Sequence, residues 1–404
     1  MLVEGGGAEM EIRDDVLHPL HEEPLSRREF SKSAVATIAA LTTLSAVVEA
    51  CATLPTAESI HGEVTPAELS RRAELSGVEW AMWRDIAHLA RLAPTPHNTQ
   101  PFRIRPVDPH TAEIVALSER FLPDEDHGNR YVASAFGIFA ATTEVAAATL
   151  GVRVRILAAD PIDVAGLHRA SAPTTLGTVT IVGDKGPSSD ARLLDLRRTS
   201  RIPYLDRLVD ADVWTALRAI GESRGHRLLE YNAPDVVDAT LKLNVDALID
   251  NLGLDREREE IRHWYRTGPT PQFGDGLWER PLNQSAFEIR AAFGSPGLFH
   301  LPIIRQLAAH RYLNTQHGTR HIVLLCGAFA TWLELVEAGR ALFDIWIEMA
   351  RYGVYMQPMG SMLTNPAYAA RIAQRFGVTD CWLVMRAGYS DLPPRAPRLE
   401  SILL

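Results

Sequence analysis

The stretch VASAFGIFAATTEVAAATLGVRVRI, residues 132–156, decides the fold class. Residues 132–150 are nearly all apolar or small, which predicts a helix buried on most of its circumference. Gly151 is typical of a helix end, and the alternating residues 152–156 predict a strand immediately after it. A second strand is predicted at residues 178–182, after a polar stretch. Helix and strand therefore follow each other in this part of the chain.

The C-terminal half repeats this order. Its sequence predicts a helix with one apolar face at 335–349, which a glycine at 353 ends. A strand at 354–356, a short helix at 366–376 and a final strand at 381–385 are predicted to follow. Gly353 follows Gly151 by 202 residues, and an internal duplication is the economical explanation. The predicted fold is α+β, with two repeated helix/sheet units in one chain.

Upstream of these units the offset changes, which locates an insertion. A helix and a strand precede each unit with an offset of only 126 residues, at 78–92 and 102–105, and at 211–220 and 226–230. About 76 extra residues must then lie in the second half, roughly within 240–320. Their many Gly and Pro residues favour a covering arm or lid over a third core. We expect a first half at 65–190 and a second half at 191–404.

Composition excludes several classes of protein. With 404 residues, 46% hydrophobic and 23% charged, the chain is neither disordered nor fibrous. A net charge of −9 gives no reason to expect nucleic acid as a partner. Only three of the 41 basic residues are Lys, so an anion site must be built mainly from Arg. Cys51, Cys326 and Cys381 are too few and too scattered for a disulfide framework or a Cys-rich zinc site.

The first 52 residues have the layout of an export signal. SRREFSK at 26–32 is followed by sixteen uncharged residues and by Ala50-Cys51-Ala52, an A-x-A cleavage pattern. The paired arginines resemble a twin-arginine signal, which predicts a periplasmic or cell-envelope location. A disordered N-terminus is the alternative interpretation, and Cys51 is also a candidate for a lipid anchor. The twin-arginine route exports proteins that are already folded, so it suits a protein that acquires a cofactor in the cytoplasm before export.

Familiar catalytic signatures are absent from the sequence, including G-x-G-x-x-G, G-x-x-x-x-G-K-[ST], G-x-S-x-G and H-E-x-x-H. His317 and His321 have helical spacing for two metal ligands, but they are better interpreted as surface or lid histidines. The adjacent acids at 124–126 are expected to be solvated rather than to form an acid–base pair.

Two segments carry candidate binding chemistry. The proline turn, APTPHNTQPF at 93–102, joins a helix to a strand and offers amides and hydroxyls between prolines that stiffen it. Its Asn98 and Gln100 would suit the edge of a planar heterocycle. The arginine segment, RRTSR at 197–201, can surround a phosphate with charge-assisted hydrogen bonds. On spacing alone, a capped connecting turn and an ordinary Arg-rich linker are equally good interpretations.

These two segments and the C-terminus resemble one known family. The arginine segment resembles the R-R-S-x-R opening of the nitroreductase superfamily, and the proline turn resembles its A-P-S-x-x-N-x-Q-P-W segment. AGYSDLPPRAPRLE at 387–400 is similar to the family's G-Y-P, P-P-P and R-P-L-E tail. This chain has Thr95 and Thr199 where the family has Ser, and Phe102 where it has Trp. Because both segments lie in one chain, the resemblance is to the internally duplicated Acg-like branch.

The resemblance implies a site for FMN between the two halves, so that one monomer mimics the family dimer. It implies that the phosphate is bound by Arg197, Arg198, Thr199 and Arg201, with Arg395 or Arg398. It also implies that Pro94, Thr95, Asn98 and Gln100 line the isoalloxazine, with the backbone of Pro358, Met359 and Gly360 at its other edge. The mirror-image site lacks a third base after Arg71-Arg72 and an Asn/Gln turn near 222–228, which predicts one FMN per chain.

If the chain binds FMN as the resemblance implies, two functions are open to it. The leading hypothesis is an FMN-dependent oxidoreductase that takes hydride from NAD(P)H and reduces a nitro compound, quinone or similar small-molecule acceptor. The alternative is an FMN-sequestering protein in which the 240–320 insertion covers the ring. No metal and no catalytic side chain is required by either hypothesis.

Overall fold

The computed structural model describes residues 81–183, 190–268, 273–294 and 301–404. The predicted export signal at 1–52, including Cys51, lies outside the described residues, and so does Arg71-Arg72. The N-terminal half contains α1, β1, β2, α2, β3 and β4, at Ala81–Ala90, Phe102–Asp108, Thr111–Ala116, Arg130–Thr149, Arg153–Ala158 and Thr174–Gly183.

The C-terminal half has more elements. It begins with α3, α4 and β5 at Arg192–Leu196, Ala211–Ser223 and Arg227–Tyr231. Next come α5, α6, β6, β7, α7, α8 and α9, at Pro234–Leu252, Asp255–Trp264, Tyr265–Arg266, Leu277–Trp278, Glu279–Leu282, Ala286–Gly294 and Pro302–Thr315. It ends with β8, α10, β9, α11, α12 and β10, at His321–Cys326, Trp332–Arg351, Val354–Pro358, Ser361–Thr364, Pro366–Phe376 and Cys381–Tyr389.

Two four-stranded antiparallel sheets have the same strand order. The first sheet runs β1-β2-β4-β3 and the second runs β5-β8-β10-β9, so each places its strands in the order first, second, fourth, third. A long helix, α2 or α10, connects the second strand to the third in both. The predicted α+β class with repeated helix/sheet units is confirmed. The sheets differ in one connection, because residues 109–110 join β1 to β2 whereas residues 232–320 lie between β5 and β8.

The long helices α2 and α10 pack against each other through glycine. A side chain at Gly137 of α2 would collide with the backbone carbonyl of Val336, and one at Gly339 of α10 would collide with that of Ser134. Gly339 is 202 positions after Gly137, and Val336 is 202 positions after Ser134, so the contact is nearly symmetric about a pseudo-twofold axis. Only glycine permits so close a backbone approach. Among the described residues, α2 is the one helix apolar enough to cross a membrane, and 83% of its apolar window is buried in the protein.

The two halves share one hydrophobic core. Its largest cluster contains buried side chains of both sheets and of both long helices. Phe136 of α2 and Trp332 of α10 meet with ring centroids 5.1 Å apart, which is the range of favourable aromatic pairs. A smaller cluster lies on the opposite face of the second sheet and contains α5, α11 and α12. The seam between the halves is therefore closely packed, and it brings residues distant in sequence together.

Candidate functional site

A cavity of about 100 Å³ lies where four segments of the chain meet. Its walls are the proline turn, the arginine segment with the end of α3, residues 276–282 and residues 394–398. We call residues 273–282 the arm and residues 393–399 the tail. Nine of the thirteen predicted site residues line this cavity: Pro94, Thr95, Asn98, Arg197, Arg198, Thr199, Arg201, Arg395 and Arg398. The structure thus brings the two candidate segments together, although about 100 positions separate them.

The arginine segment is fixed by hydrogen bonds to the second sheet. Ser200 donates its backbone N–H to the carbonyl of Met356 at 3.0 Å, beside a parallel bridge from Thr199 to Met356. Arg386 of β10 donates to the carbonyls of Ser200 and Ile202 at 3.1 and 2.9 Å. Because β9 is an edge strand, its free carbonyl can hold this extra segment.

Arg386 is fully buried, and its other donors reach Gln357 and Thr319 at 2.8 and 3.1 Å. Its cation lies 4.1 Å from the ring centroid of Tyr204. Burial lowers the pKa of Arg386. Sequence reasoning missed this residue, since a single Arg in an apolar strand gives no sign that it holds a distant loop.

Two arginines of the segment have well-defined partners. Arg197 is buried, lies 4.4 Å from the ring centroid of Trp346 and donates to the carbonyl of Leu92 at 2.9 Å. Arg198 pairs with Asp195 at 3.0 Å and donates to the carbonyl of Pro393 at 2.8 Å. Arg197 is therefore held partly by an aromatic ring, whereas the hydrogen bonds of Arg198 go to Asp195 and to the tail.

Positive charge dominates the cavity. Five arginines line it together with one carboxylate, Asp195, which pairs with Arg198 and Arg395. Burial, with Arg398 nearby, lowers the pKa of Arg197 to about 9. Burial, with Arg91 and Arg395 nearby, lowers the pKa of Arg398 to about 10. Lowered arginine pKa values mean that the cations repel each other in a poorly hydrated space, which an anion would relieve.

Two buried nitrogens at the cavity have no hydrogen-bond partner among the described residues. They are Nε of Arg398 and Nδ1 of His97, and both residues line the cavity. A buried polar atom without a partner costs about 1–3 kcal/mol. The unpartnered guanidinium nitrogen of Arg398, one of five arginines at the cavity, indicates a site for an anion with several acceptor oxygens.

The proline turn has an unusual backbone. His97, Asn98 and Gln100 have φ values of 46, 54 and 49°, in the left-handed region that residues other than glycine seldom adopt. The hydroxyl of Thr95 accepts the N–H of Gln100 at 2.9 Å and closes the turn. Strained backbone of this kind clusters at binding and catalytic sites.

The side-chain amides of this turn bind protein groups, and their predicted place along the edge of a ring stays a prediction. Asn98 donates to the carbonyls of Gly276 and Pro397 at 3.1 and 2.9 Å, and its Oδ1 accepts from Arg398 at 2.5 Å. Gln100 donates to the carbonyl of Gly274 at 2.9 Å, accepts from Leu399 at 3.1 Å and does not line the cavity. The arm and the tail thus satisfy these amides, through contacts that local spacing does not reveal.

Residues 358–360 do not line the cavity. Pro358 ends β9 opposite Met385. Met359 is buried in the smaller core cluster, and its N–H donates to the carbonyl of Val384 at 2.9 Å, so the predicted place of this backbone at the ring edge stays a prediction. Gly360 follows with open space around its Cα. These residues lie away from the cavity because β9 continues to Pro358 and its hydrogen bonding to β10 continues to Met359.

The arm is attached to both halves of the protein. Asp275 is buried and forms ion pairs at 3.0 Å with Arg120 of the first half and with Arg266. The indole of Trp278 lines the cavity and donates to the carbonyl of Gly268 at 3.0 Å. Arg201 reaches the carbonyl of Pro281 at 3.4 Å. The arm therefore forms one wall of the cavity, directly against the arginine segment.

A histidine and a carboxyl group lie together at the edge of the cavity. His97 Nε2 is 3.0 Å from Glu125 Oε2, and only 20% and 14% of the two side chains are exposed. Burial, with Arg201 nearby, lowers the pKa of His97 to about 4. Burial, with Glu257 nearby, raises the pKa of Glu125 to about 7. Both groups therefore favour their neutral forms near neutral pH.

The expectation of a solvated acidic cluster at 124–126 is wrong for two of its residues. Asp126 is buried and accepts the N–H groups of Tyr131 and Val132 at 3.0 and 2.8 Å, so it caps α2. Burial raises the pKa of Asp126 to about 6. Glu125 is mostly buried against His97.

His321 is a structural residue and not a surface one, contrary to the sequence interpretation. It is 1% exposed, its Nδ1 lies 2.6 Å from Glu230, and its Nε2 accepts from Val209 at 2.9 Å. Both ring nitrogens are thus occupied by protein groups. In the described part of the chain no group of three or more His, Cys, Asp or Glu side chains is arranged to hold a metal ion.

No family model matches the sequence. No curated protein matches it either.

Solved structures to which the chain is similar include nitroreductase-family proteins, each matched over about half of this chain. The FMN- and NADPH-dependent nitroreductase NfnB from sphigopyxis sp. strain HMH is 14% identical over 52% of this chain and 94% of its own, with a TM-score of 0.31. NfnB from Mycobacterium smegmatis, solved with NADPH, is 15% identical over 52% and 92%, with a TM-score of 0.29. A nitroreductase with bound FMN from Desulfitobacterium hafniense DCB-2 is 10% identical over 52% and 94%, with a TM-score of 0.31.

Proposed function

We propose that the protein is an FMN-dependent oxidoreductase of the nitroreductase type. One observation carries the proposal: the arginine segment and the proline turn, from different halves of the chain, form walls of one cavity with a strong excess of positive charge. A flavin mononucleotide has a phosphate for the arginines and a planar ring for the turn. In this proposal FMN passes hydride from NAD(P)H to a nitro compound, quinone or similar small acceptor.

The residues present fit the phosphate end of FMN. Arg197, Arg198, Thr199, Arg201, Arg395 and Arg398 would hold it, because they surround the cavity. An anion there would offset the burial that lowers the pKa of Arg197 and of Arg398. Asp195 now neutralises Arg198 and Arg395, and phosphate oxygens would share those donors with it. Arginine–phosphate hydrogen bonds are charge-assisted and about twice as strong as neutral ones.

The ring end of FMN requires space that the arm now fills. Ligand pockets commonly measure about 300–1,000 Å³, whereas this cavity measures about 100 Å³. Leu277, Trp278, Pro281 and Leu282 line it on the arm side, and they offer apolar surface for an aromatic ring. We propose that the arm, which is part of the 240–320 insertion, moves outward to admit the flavin and then covers it. Pro94, Thr95 and Asn98 would lie along the ring from the other side.

A second function, FMN sequestration, is favoured by the attachments of the arm. Asn98 and Gln100 donate to arm carbonyls, and Asp275 pairs with both halves of the protein. A cover held this firmly would exclude a second substrate from the ring. The protein would then bind FMN and keep it unreactive.

The repeated sheets support a further part of the proposal. We propose that the chain is an internal duplication like the Acg-like branch, and that a monomer acts as a pseudo-dimer. We also propose export by the twin-arginine route to the periplasm or cell envelope. The double variant Arg27→Lys with Arg28→Lys should keep the protein in the cytoplasm, and continued export of that variant would contradict the proposal.

Stopped-flow mixing of the flavin-loaded protein with NADPH tests the two functions. Rapid bleaching of the flavin, followed by reoxidation with a nitroarene, supports the oxidoreductase. A yellow protein that does not respond to NADPH but releases FMN on denaturation supports sequestration. A protein that binds no FMN contradicts both.

A further inference from the structure

Two cysteines face each other across the centre of the second sheet. Cys326 ends β8 and Cys381 begins β10, and they are direct partners in the antiparallel register. The neighbouring N–H of Gly327 donates to the carbonyl of Asp380 at 3.0 Å, which makes Cys326 and Cys381 a non-hydrogen-bonded pair. In a regular ladder the Cα atoms of such a pair are about 4.5 Å apart, within the roughly 4.4–6.8 Å that a disulfide spans.

Both side chains point to the same face of the sheet. Cys326 belongs to the smaller core cluster with Ile322 and Leu324, and Cys381 packs against that cluster. Each thiol lies within hydrogen-bonding reach of the other. Both are free thiols in the structure. The two thiols are thus adjacent, beside a β-bulge where the register shifts between Cys381 and Leu383.

We propose that Cys326 and Cys381 are a redox-active pair that forms a cross-strand disulfide by exchange with a small-molecule disulfide. Cys381 is half-buried and Cys326 is fully buried, so the incoming disulfide reaches Cys381 first. The Cys381 thiolate attacks one sulfur of the small disulfide and releases the other as a thiolate. The Cys326 thiolate then attacks the Cys381 sulfur and releases the second small thiolate. The protein loses two protons and two electrons, and the small disulfide is reduced to two thiols.

The hydrogen bond between the thiols favours Cys326 as the resolving thiolate and opposes ionisation of Cys381. It is the main cause that lowers the pKa of Cys326 and raises the pKa of Cys381. Cys326 is therefore the better resolving nucleophile, while the first attack by Cys381 is slow at neutral pH. The disulfide would close a loop that contains α10 and β9, which join these strands. It would stabilise the folded protein by restricting the unfolded chain. This inference does not depend on the flavin.

The test uses the full chain with Cys51→Ser, so that only two thiols remain. The protein is equilibrated with oxidised glutathione, unfolded in guanidinium with iodoacetamide, and measured by intact mass. We expect no alkylated cysteine and a mass lower by two hydrogens, and one linked peptide that contains both cysteines after proteolysis. A sample reduced with dithiothreitol should take up two alkyl groups. The oxidised sample should also have the higher midpoint of thermal unfolding.

The matched control adds Cys381→Ser to the same background. Because its remaining thiol is fully buried, it should take up one alkyl group after the same treatment and show no change in unfolding midpoint. The proposal is overturned if the two-cysteine protein still takes up two alkyl groups after oxidation. It is equally overturned if each cysteine carries its own glutathione, because the thiols would then be unable to reach each other.

Discussion

Arg198 offers a direct test of the phosphate site. It lines the cavity, only 14% of its side chain is exposed, and it contacts Asp195 and the carbonyl of Pro393. Replacing it with Ala should leave the core intact, because Asp195 keeps its ion pair with Arg395. A hydrogen bond to a charged group contributes about 1.5–3 kcal/mol. Since about 1.4 kcal/mol is tenfold in affinity, Arg198→Ala should weaken FMN binding roughly 10- to 150-fold.

The assay is a titration of the flavin-free protein with FMN, followed by flavin fluorescence, and then the same titration with riboflavin. Riboflavin has the same ring without the phosphate, so its affinity should be nearly unchanged in Arg198→Ala. Arg192 is a matched control at the start of α3, the short helix that precedes Arg198, because it is 73% exposed, pairs with Asp190 and does not line the cavity. Arg192→Ala should bind FMN like the original protein. Equal losses for FMN and riboflavin, or an equal loss in Arg192→Ala, would refute the phosphate assignment.

Three further predictions concern stability, pH and the arm. Gly339→Val should lower the free energy of unfolding in urea by about 1–3 kcal/mol, because its side chain collides with α2; Gly360→Ala, in open space, should change it little. The pKa of Glu125 is raised to about 7, so the contribution of its neutral form to stability is lost as pH rises from about 4.5 to 7. The pKa of His97 is lowered to about 4, so the contribution of its neutral form is lost as pH falls from 6.5 to about 4. Glu125→Gln and His97→Gln should therefore change the pH slope of the unfolding free energy in opposite directions, each by at most about 1.4 kcal/mol per pH unit, and equal slopes would contradict the burial of this pair. Asp275→Asn removes the carboxylate between two arginines and should speed proteolytic cleavage within the arm; an unchanged rate would show that these ion pairs do not hold it.

The secondary structure could be predicted well because its signals are local. The helix Pro366–Phe376 begins at a proline after Asn365, whose side chain caps it, and ends at Gly377 in a left-handed conformation. Each of these signals lies within a few residues of the others. The repeated helix and strand order could also be recognised, since in both units a glycine, Gly151 or Gly353, lies two residues after the end of the long helix and is followed by a strand.

The meeting of the arginine segment and the proline turn followed from a resemblance and not from spacing. Details of the site could not be predicted, because they depend on where the inserted segment and the tail travel. Asn98 and Gln100 contact residues 174 to 300 positions away, and no local pattern indicates those partners. The role of Arg386 could not be predicted for the same reason, since it donates to the carbonyl of Ile202, 184 positions earlier.

Burial was the other quantity that the sequence pattern did not reveal. The sequence interpretation put Asp126 and His321 at the surface, yet both are buried. Asp126 accepts the backbone N–H of Val132, and His321 accepts that of Val209. The cysteines looked too scattered to pair, because their opposition depends on the register of β8 and β10. Asp195 had one usable signal: it stands three residues before Arg198, close enough in sequence for the two opposite charges to pair.

The most direct measurement of the central claim is the number of FMN molecules bound by one chain. Equilibrium dialysis of the purified protein against FMN, with the bound flavin measured by absorbance after denaturation, gives this number. The account predicts saturation at one FMN per chain, with FMN bound more tightly than riboflavin. Saturation at two would contradict the single asymmetric site, and the absence of binding would contradict the flavin assignment altogether.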